Sequence, residues 1–492
     1  MRISHAMTSE STRHPRGIRT LFFTEMWERW SYYGMRALMV PFMTAASGGL
    51  GLEKKQAMAI YGLYIATVYA SALPGGWMGD RLLGTKRAVW WGGVGIALGH
   101  LVLAIHHPTA FYLGLLVIAL GSGLLKSNMS TLVGLIYPEG GQRRDAGFTL
   151  FYLGINLGAF LGPLVSGWLQ QSATWGWRWA FASATAGMFL GLTQWQLTRK
   201  HLEGVGDRID HPNQNLKREW IALWAAMGGL VVVTLLCVQG VIVLDPVALA
   251  HWVTAAILIA AVFFFVWLFL YGRMDADEKA RTWLIIMLFF VSALFWAGFE
   301  QMGSSFNVFA EDHTIRELGS WTIPTAWFQS INPLFVMMFS PVVALLWQRM
   351  DRRGISPTMT TKMGWAMLLL ALGFGLAVVA SHRAIAVGKV WPLWLLGIYF
   401  CHTIGELFLS PVGLSAVTKL SPLRHTGQMM GVWFLGTSLG DVLSGIIAGE
   451  VSGDAMHAMP VIFVRVVWIS SVTGALLLIF ARPLQKLARG VR

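Results

Sequence analysis

Nine ionisable residues stand inside long apolar segments of this chain: Glu25, Glu28, Arg29, Arg36, Lys126, Glu300, Glu406, Asp441 and Arg465. A charge at bilayer depth is costly, so each needs a partner, a water-filled cavity or a chemical task. Both signs are present, which makes mutual pairing available. The densest stretch, residues 22–36, reads FFTEMWERWSYYGMR. On a helix, Glu25, Glu28, Arg29, Tyr32 and Arg36 fall on one face. Glu25 precedes Arg29 by four residues, the better order for a helical ion pair. Such a face belongs against a polar cavity or other polar helices, not lipid.

Lys126 lies in GSGLLKSNMS, Glu300 in LFWAGFEQMGSS and Glu406 in HTIGELFLSP. A base on one segment and an acid on another suit a zwitterion, whose carboxylate would meet Arg36 and Lys126 and whose amine would meet Glu406. Charge-assisted hydrogen bonds at both ends would also set its orientation. A carboxylate stays ionised beside a cation and favours protonation when the pair separates. Glu300 near Lys126 or Arg36 would therefore tie proton binding to which side of a cavity is open.

The elements that must position these residues are membrane helices. The chain has 492 residues, 55% hydrophobic and 12% charged, about half the charged fraction of an average soluble domain. Fourteen apolar stretches are each about 20 residues or longer, enough to cross a bilayer. They are expected near 20–47, 57–77, 87–106, 109–137, 145–170, 177–199, 219–241, 246–271, 281–311, 325–347, 361–382, 390–418, 427–450 and 459–481. Runs this long favour helices over barrel strands. Alternate loops, counted from the N-terminal tail, hold 27 Lys and Arg against 6 in the others, which predicts both termini in the cytoplasm. The net charge of +13 is then mostly a topology signal rather than a nucleic-acid surface.

An internal repeat divides the chain. FYLGINLGAFLG at 151–162 aligns with WFLGTSLGDVLS at 433–444, an offset of 282 that also pairs Gly123 with Gly405. Two parallel six-helix halves with a site at their interface are one way transporters are built. The organisation predicted is a cytoplasmic tail 1–19, a six-helix bundle 20–200, a linker 201–280 with two inserted transmembrane helices (219–241 and 246–271), a second bundle 281–482 and a cytoplasmic tail 483–492. The inserted pair carries no intramembrane charge and reads as scaffold.

With these residues in view, the chain resembles the proton-dependent oligopeptide transporters of the major facilitator superfamily. Glu25-Met-Trp-Glu28-Arg29 looks like their ExxER signature, and Phe151-Tyr152-Leu-Gly-Ile155-Asn156 like their second signature. Phe295-Trp296 with Phe299-Glu300-Gln301, Gln329-Ser-Ile-Asn332-Pro333, Gly405-Glu406 through Ser410-Pro411, and Met430-Gly-Val-Trp433-Phe434 resemble further motifs. Gly76-Trp-Met-Gly-Asp80-Arg81 resembles the superfamily's motif after the second span. The resemblance implies an all-α membrane protein of major facilitator fold, two six-helix bundles plus two inserted helices. It implies a proton-coupled symporter importing di- and tripeptides across the bacterial cytoplasmic (inner) membrane, without a cofactor or metal and working as a monomer. By the same resemblance Glu25, Glu28, Arg29, Lys126 and Glu300 serve proton coupling, with Lys126 and Glu300 as a gating pair. Arg36, Lys126, Asn156, Asn332, Glu406 and Ser410 are implied at the peptide, with Tyr32, Tyr33, Tyr69, Trp296 and Trp433 lining side-chain pockets.

Departures are visible too. Ser127 stands where many members have proline, Gly62 where animal relatives carry a functional His, and Asp441 where Asn is expected; His402 lies one turn before Glu406 and reads as a packing residue. Rival readings are the same fold carrying nitrate, an amino acid or another metabolite, a membrane enzyme, or a receptor-like sensor. The enzyme lacks a ligand-spaced cluster among the thirteen His, and nitrate has no amine for Glu406. Cys237 and Cys401 lie in apolar stretches without metal or disulfide spacing. The N-terminal segment lacks signal-peptide character and is expected to stay attached.

Overall fold

The computed structural model describes residues 14–105, 107–138, 141–208, 215–355, 357–451 and 455–490. Residues 1–13 of the expected tail 1–19, and 491–492 of the tail 483–492, lie outside the described residues.

Among the described residues, fourteen long helical rods follow one another: α1 Gly17–Thr44, α2 Lys54–Ala70, α3 Thr85–Leu103, α4 Pro108–Leu135, α5 Gly141–Gln171, α6 Gly176–Thr198, α7 Leu216–Val238, α8 Pro246–Tyr271, α9 Ala276–Phe299, α10 Ile331–Arg352, α11 Met359–Val387, α12 Leu393–Leu420, α13 Thr426–Val451 and α14 Ala455–Ile479. Rod α2 runs on through Ala72–Met78 and a wide π turn at Gly79–Leu83. Rod α9 breaks into a 3-10 turn at Glu300–Gly303 and resumes as Ser305–His313. One two-stranded hairpin, Glu317–Leu318 with Trp321–Thr322, interrupts the otherwise helical chain beside Gly319 at φ 63°.

Among the described residues, eleven rods are long and apolar enough to cross a membrane; α1, α3 and α6 fall short of that measure. In α1 the polar face that carries Glu25, Glu28, Arg29 and Arg36 dilutes the apolar one. Many rods begin before their apolar runs because polar caps extend them. Asp275 and Glu278 form a reciprocal capping box at α9, Asn215 caps Arg218 N at 3.0 Å, and Pro108 and Pro246 open α4 and α8, a position where the missing N–H is harmless. Large apolar side chains such as Trp224, Trp252, Phe263 and Trp468 are exposed on the outside of the rods, where hydrocarbon would cover them.

The Leu-Gly repeat has a packing basis. Rod α5 lies against α1, and α13 lies against α9. A Cβ on Gly158 would sit 2.1 Å from the Met26 carbonyl oxygen, and one on Gly440 2.6 Å from that of Ala293. Gly154 abuts Phe22 as Gly436 abuts Phe289. Both pairs give the same partner offset, 267 residues. Backbones approach closely only where small residues allow it, so the repeated glycines mark two equivalent seams.

Of the inserted pair, α8 buries Ala250, Ile257, Ala261, Phe265 and Leu268 against α13 and α2, whereas α7 buries no residue. The Arg81–Glu219 ion pair at 3.2 Å links α7 to the π turn.

Candidate functional site

The polar face of α1 is buried against its neighbours, with Glu25, Glu28 and Arg29 all below 5% exposure. Arg29 Nε lies 2.7 Å from Glu25 and 2.9 Å from Glu28. Its single N–H is aimed at Glu25, so both Glu28 oxygens lack a hydrogen-bond partner despite that proximity. The expected Glu25–Arg29 pair thus forms, and Glu28 is left able to exchange a proton or take another cation.

Two turns further on, Arg36 bridges the two bundles. It forms an ion pair with Glu300, and its Nε donates to Tyr61 Oη at 2.8 Å. Tyr61 Oη reaches Glu300 at 3.4 Å, and the guanidinium lies over the Tyr33 and Tyr61 rings. The 3-10 turn brings Glu300 here: Gly303 passes so close to Tyr61 that an added Cβ would meet Oη at 1.7 Å. Of the two cations the sequence offered to Glu300, this arrangement pairs it with Arg36. Glu300 is bound to Arg36, while Lys126 Nζ lies 3.8 Å from the centroid of the Tyr69 ring. Among the described residues no carboxylate comes within ion-pair distance of Lys126. Its position is within the fields of Glu28, Glu25, Arg29 and Asp441. Rod α4 stays helical past it, with Ser127 Oγ donating to Gly123 O at 3.0 Å.

On the other bundle, Asn332 Nδ2 donates to Glu406 at 2.9 Å and to Thr403 Oγ1 at 3.0 Å. Glu406 therefore has a neutral amide partner and, among the described residues, no paired cation. Tyr33 and Tyr152, both from the first bundle, lie within its field. Asn156 donates to Tyr152 O within its own helix at 2.9 Å, and Ser410 Oγ is buried without a partner. Tyr32 packs edge-on to Tyr33 and stacks on Tyr64 at 6.3 Å. Trp296 meets Phe299 edge-on at 5.2 Å, and Trp433 is buried over Gly413. His402 sits among Phe306 and Phe374 with both ring nitrogens unpartnered, a packing role rather than a contact to Glu406.

Two site-lining residues, Tyr61 and Thr403, escaped the sequence reading, and a third, Gln301, was quoted in a motif without a role. Tyr61 ties Arg36 to Glu300. Gln301 donates to Ser444 O at 3.0 Å and accepts from Ser305 at 2.5 Å. Thr403 shares Asn332 with Glu406. Tyr61 was legible in principle, since it falls three residues before Tyr64 and eight before Tyr69 on one helical stripe.

The ties between bundles fall in the middle of the rods and toward the face away from the chain termini. Besides Arg36–Glu300 and Tyr61–Glu300 they include Lys54–Asp312 at 2.7 Å, Trp327 Nε1 to Leu164 O at 2.8 Å, Ser330 Oγ to Phe160 O at 2.7 Å, Ser438 Oγ to Ala66 O at 3.3 Å and Asn307 Nδ2 to Ala37 O at 3.4 Å. At the α2–α13 crossing, a Cβ on Gly62 would lie 2.8 Å from the Asp441 carbonyl oxygen and 2.9 Å from Gly445 Cα. No side chain fits at 62, which accounts for the missing His. Cavities of about 450 Å³ (Lys86, Arg87, Arg199, Lys200) and 370 Å³ (Lys54, Trp177, Asp312, Arg316) open elsewhere and do not include the buried charges. Among the described residues no group of His, Cys, Asp and Glu could hold a metal ion.

This arrangement can bind an anion on one bundle and a cation on the other, with protonatable carboxylates between. Comparisons with known proteins agree with the fold and place the chain. The sequence model of the POT family (PTR2) matches residues 86–461. The chain is 39% identical to the peptide transporter YePEPT of Yersinia enterocolitica over 96% of its own length and 95% of that protein's. It is 33% identical to the di-/tripeptide transporter of Lactococcus lactis subsp. cremoris, over 97% of both. A crystal structure of a peptide transporter POT in complex with sulfate superposes with a TM-score of 0.89 at 37% identity, covering 98% of this chain and 97% of that one. The chain is a multi-pass membrane protein and belongs to the POT family of transporters.

Proposed function

We propose that this chain is a proton-coupled symporter that imports di- and tripeptides by alternating access. It would act as a monomer in the bacterial cytoplasmic (inner) membrane, with both termini in the cytoplasm and the proton as its only cofactor. The observation that carries this reading is the distribution of unpaired charge. Lys126 rests on a tyrosine ring without a carboxylate, and Glu406 rests on an amide without a cation. A zwitterion supplies what each lacks, the carboxylate for Lys126 and the ammonium for Glu406. Asn156 and Asn332 would then hydrogen-bond the peptide backbone, and the aromatic walls tolerate varied side chains because they offer apolar area with few directional demands.

In this mechanism the carboxyl groups of Glu25, Glu28 and Glu300 hold and release the proton, while the fixed charge of Arg29 and the movable charge of Lys126 set when they do so. Protonation of Glu300 removes the charge that holds Arg36, which frees Arg36 for the peptide carboxylate and loosens the contact between bundles. With the orientation proposed, the ties away from the termini close the outside, so the chain is poised toward the cytoplasm.

The test is uptake of labelled dialanine into proteoliposomes. Accumulation driven by an inward proton gradient, competed by tripeptides but not by free alanine or nitrate, is expected. Uptake of nitrate or alanine in place of dialanine would assign another substrate. Glu406→Gln should weaken peptides with a free amine about ten- to a hundredfold, the worth of one charged hydrogen bond, and spare N-blocked ones. Equal losses for both would remove Glu406 from the amine site.

A further inference from the structure

Asp441 has no part in the scheme above, yet it is 1% exposed and neither carboxylate oxygen has a hydrogen-bond partner. It lies on α13 where that rod crosses α2, backbone against Gly62. The fold does not require an acid there. The repeat-equivalent position of α5 is Ala159, and an asparagine would fill the same space without a titratable group. An ionised carboxylate in such a place needs a cation, and a carboxyl without one is tolerated by taking a proton.

The surroundings define what can serve as that cation. Arg36, on α1, is bound to Glu300 of α9 and to Tyr61 of α2. Tyr69, also on α2, lies one turn beyond Ala66, whose carbonyl accepts a hydrogen bond at 3.3 Å from Ser438, one turn before Asp441, and it bears Lys126 on its ring. From α12, Glu406 is held by Asn332. Rod α8 contributes no Asp, Glu, Lys or Arg, and its His251 is exposed. Arg465 of α14 is exposed and lies 3.7 Å from Glu450. Lys126 is therefore the one described cation within range that has no carboxylate of its own.

We propose that Asp441 is a second proton-carrying site, protonated in the arrangement seen here and paired with Lys126 once that side chain has left both Tyr69 and the peptide, and that it raises the number of protons moved per peptide from one to two. This rests on the proton–peptide symport reading. Between the bundles stand five carboxyl groups (Glu25, Glu28, Glu300, Glu406, Asp441) and three cations (Arg29, Arg36, Lys126). A zwitterionic peptide adds no net charge, so two protons bring the loaded core to neutrality, and one suffices without Asp441. When Lys126 leaves Tyr69 for Asp441, the O–H bond breaks and the proton passes to cavity water. When Lys126 turns to a peptide carboxylate, a proton from cavity water bonds again to Asp441.

The experiment measures the membrane potential that just stops dialanine flux in proteoliposomes with equal pH on both sides and a tenfold peptide gradient. Two charges per cycle balance tenfold at about 30 mV, and one charge at about 59 mV. The wild type is expected at the lower value, Asp441→Asn at the higher, and Asp441→Glu with the wild type. Equal potentials for wild type and D441N, or a D441E value matching D441N, would overturn the proposal. If D441N folds but does not cycle, the infrared band of protonated carboxyls decides. The loss of one such carboxyl relative to wild type supports the site, and an unchanged band overturns it. A wild type that moves no dialanine under any gradient but shows that band difference would instead sink the peptide reading alone.

Discussion

The seam between α1 and α5 and the seam between α9 and α13 are the same piece of packing used twice. Gly158 meets Met26 as Gly440 meets Ala293, and Gly154 meets Phe22 as Gly436 meets Phe289. The load on the two seams differs. Where Gly158 also touches Arg29 Cβ, Gly440 touches Trp296 Cβ. The first seam thus holds an arginine between two buried glutamates, and the second an aromatic wall. Further along, Gly34 packs backbone to backbone on Gly162, while at the equivalent place Gln301 spans to Ser444. Close glycine contacts supply the geometry in both bundles, and the side chains beside them decide whether that geometry carries charge or apolar surface.

The largest expected effect tests that division. Arg29→Met leaves two buried carboxylates without a cation and should cost about 3–5 kcal/mol of stability, read as unfolding in detergent at neutral pH. Adding Glu25→Gln and Glu28→Gln to the same chain should recover most of it. Trp296→Leu, which removes only packing, should cost less than Arg29→Met. Failure of the triple variant to recover would show that Arg29 matters for shape and not for charge, and the contrast between seams would fall.

Next come the glycines. Gly158→Ala and Gly440→Ala each force a methyl against a carbonyl oxygen and should cost about 1–3 kcal/mol. The loss should be larger at 158, where the approach is 2.1 Å rather than 2.6 Å. Thermal unfolding of the two variants side by side reads this directly. A mild effect at one site and a severe one at the other would show that the seams are not mechanically alike. Smallest is Gln301→Leu, which gives up the amide bonds to Ser444 and Ser305 for about 1 kcal/mol. Its signature is a modest drop in unfolding temperature; an unchanged temperature would make the Gln301 bridge dispensable to the second seam.

Much of the membrane architecture was legible because a bilayer forces long apolar helices and a charge bias in the loops. The ionisable cluster was legible from residue type alone, since acids and bases in such helices are too costly to be incidental. The Glu25–Arg29 pair could be read because helical geometry fixes neighbours four residues apart. Partners from different helices could not. Whether Glu300 meets Arg36 or Lys126 depends on the 3-10 turn that rotates Glu300 toward α1, and no periodicity announces that turn. Tyr61 was missed for the same reason, because its value lies in being aimed at Arg36 across a helix interface. Glu406 and Asn332 were each singled out, but that the amide holds the carboxylate follows from the crossing of α10 and α12. Many rods begin a few residues before the apolar run, because capped polar turns prolong them, while several, such as those ending at Thr44, Leu103 and Val238, stop before the apolar run does.

The crossing at Gly62 also makes the α2–α13 spacing a fixed dimension of the molecule. With the Asp441 carbonyl 2.8 Å and the Gly445 Cα 2.9 Å from where a side chain would begin, any side chain at that position has to spread α2 from α13. A histidine installed there would therefore move both rods, and with them every contact the crossing holds, rather than add an imidazole to an unchanged frame.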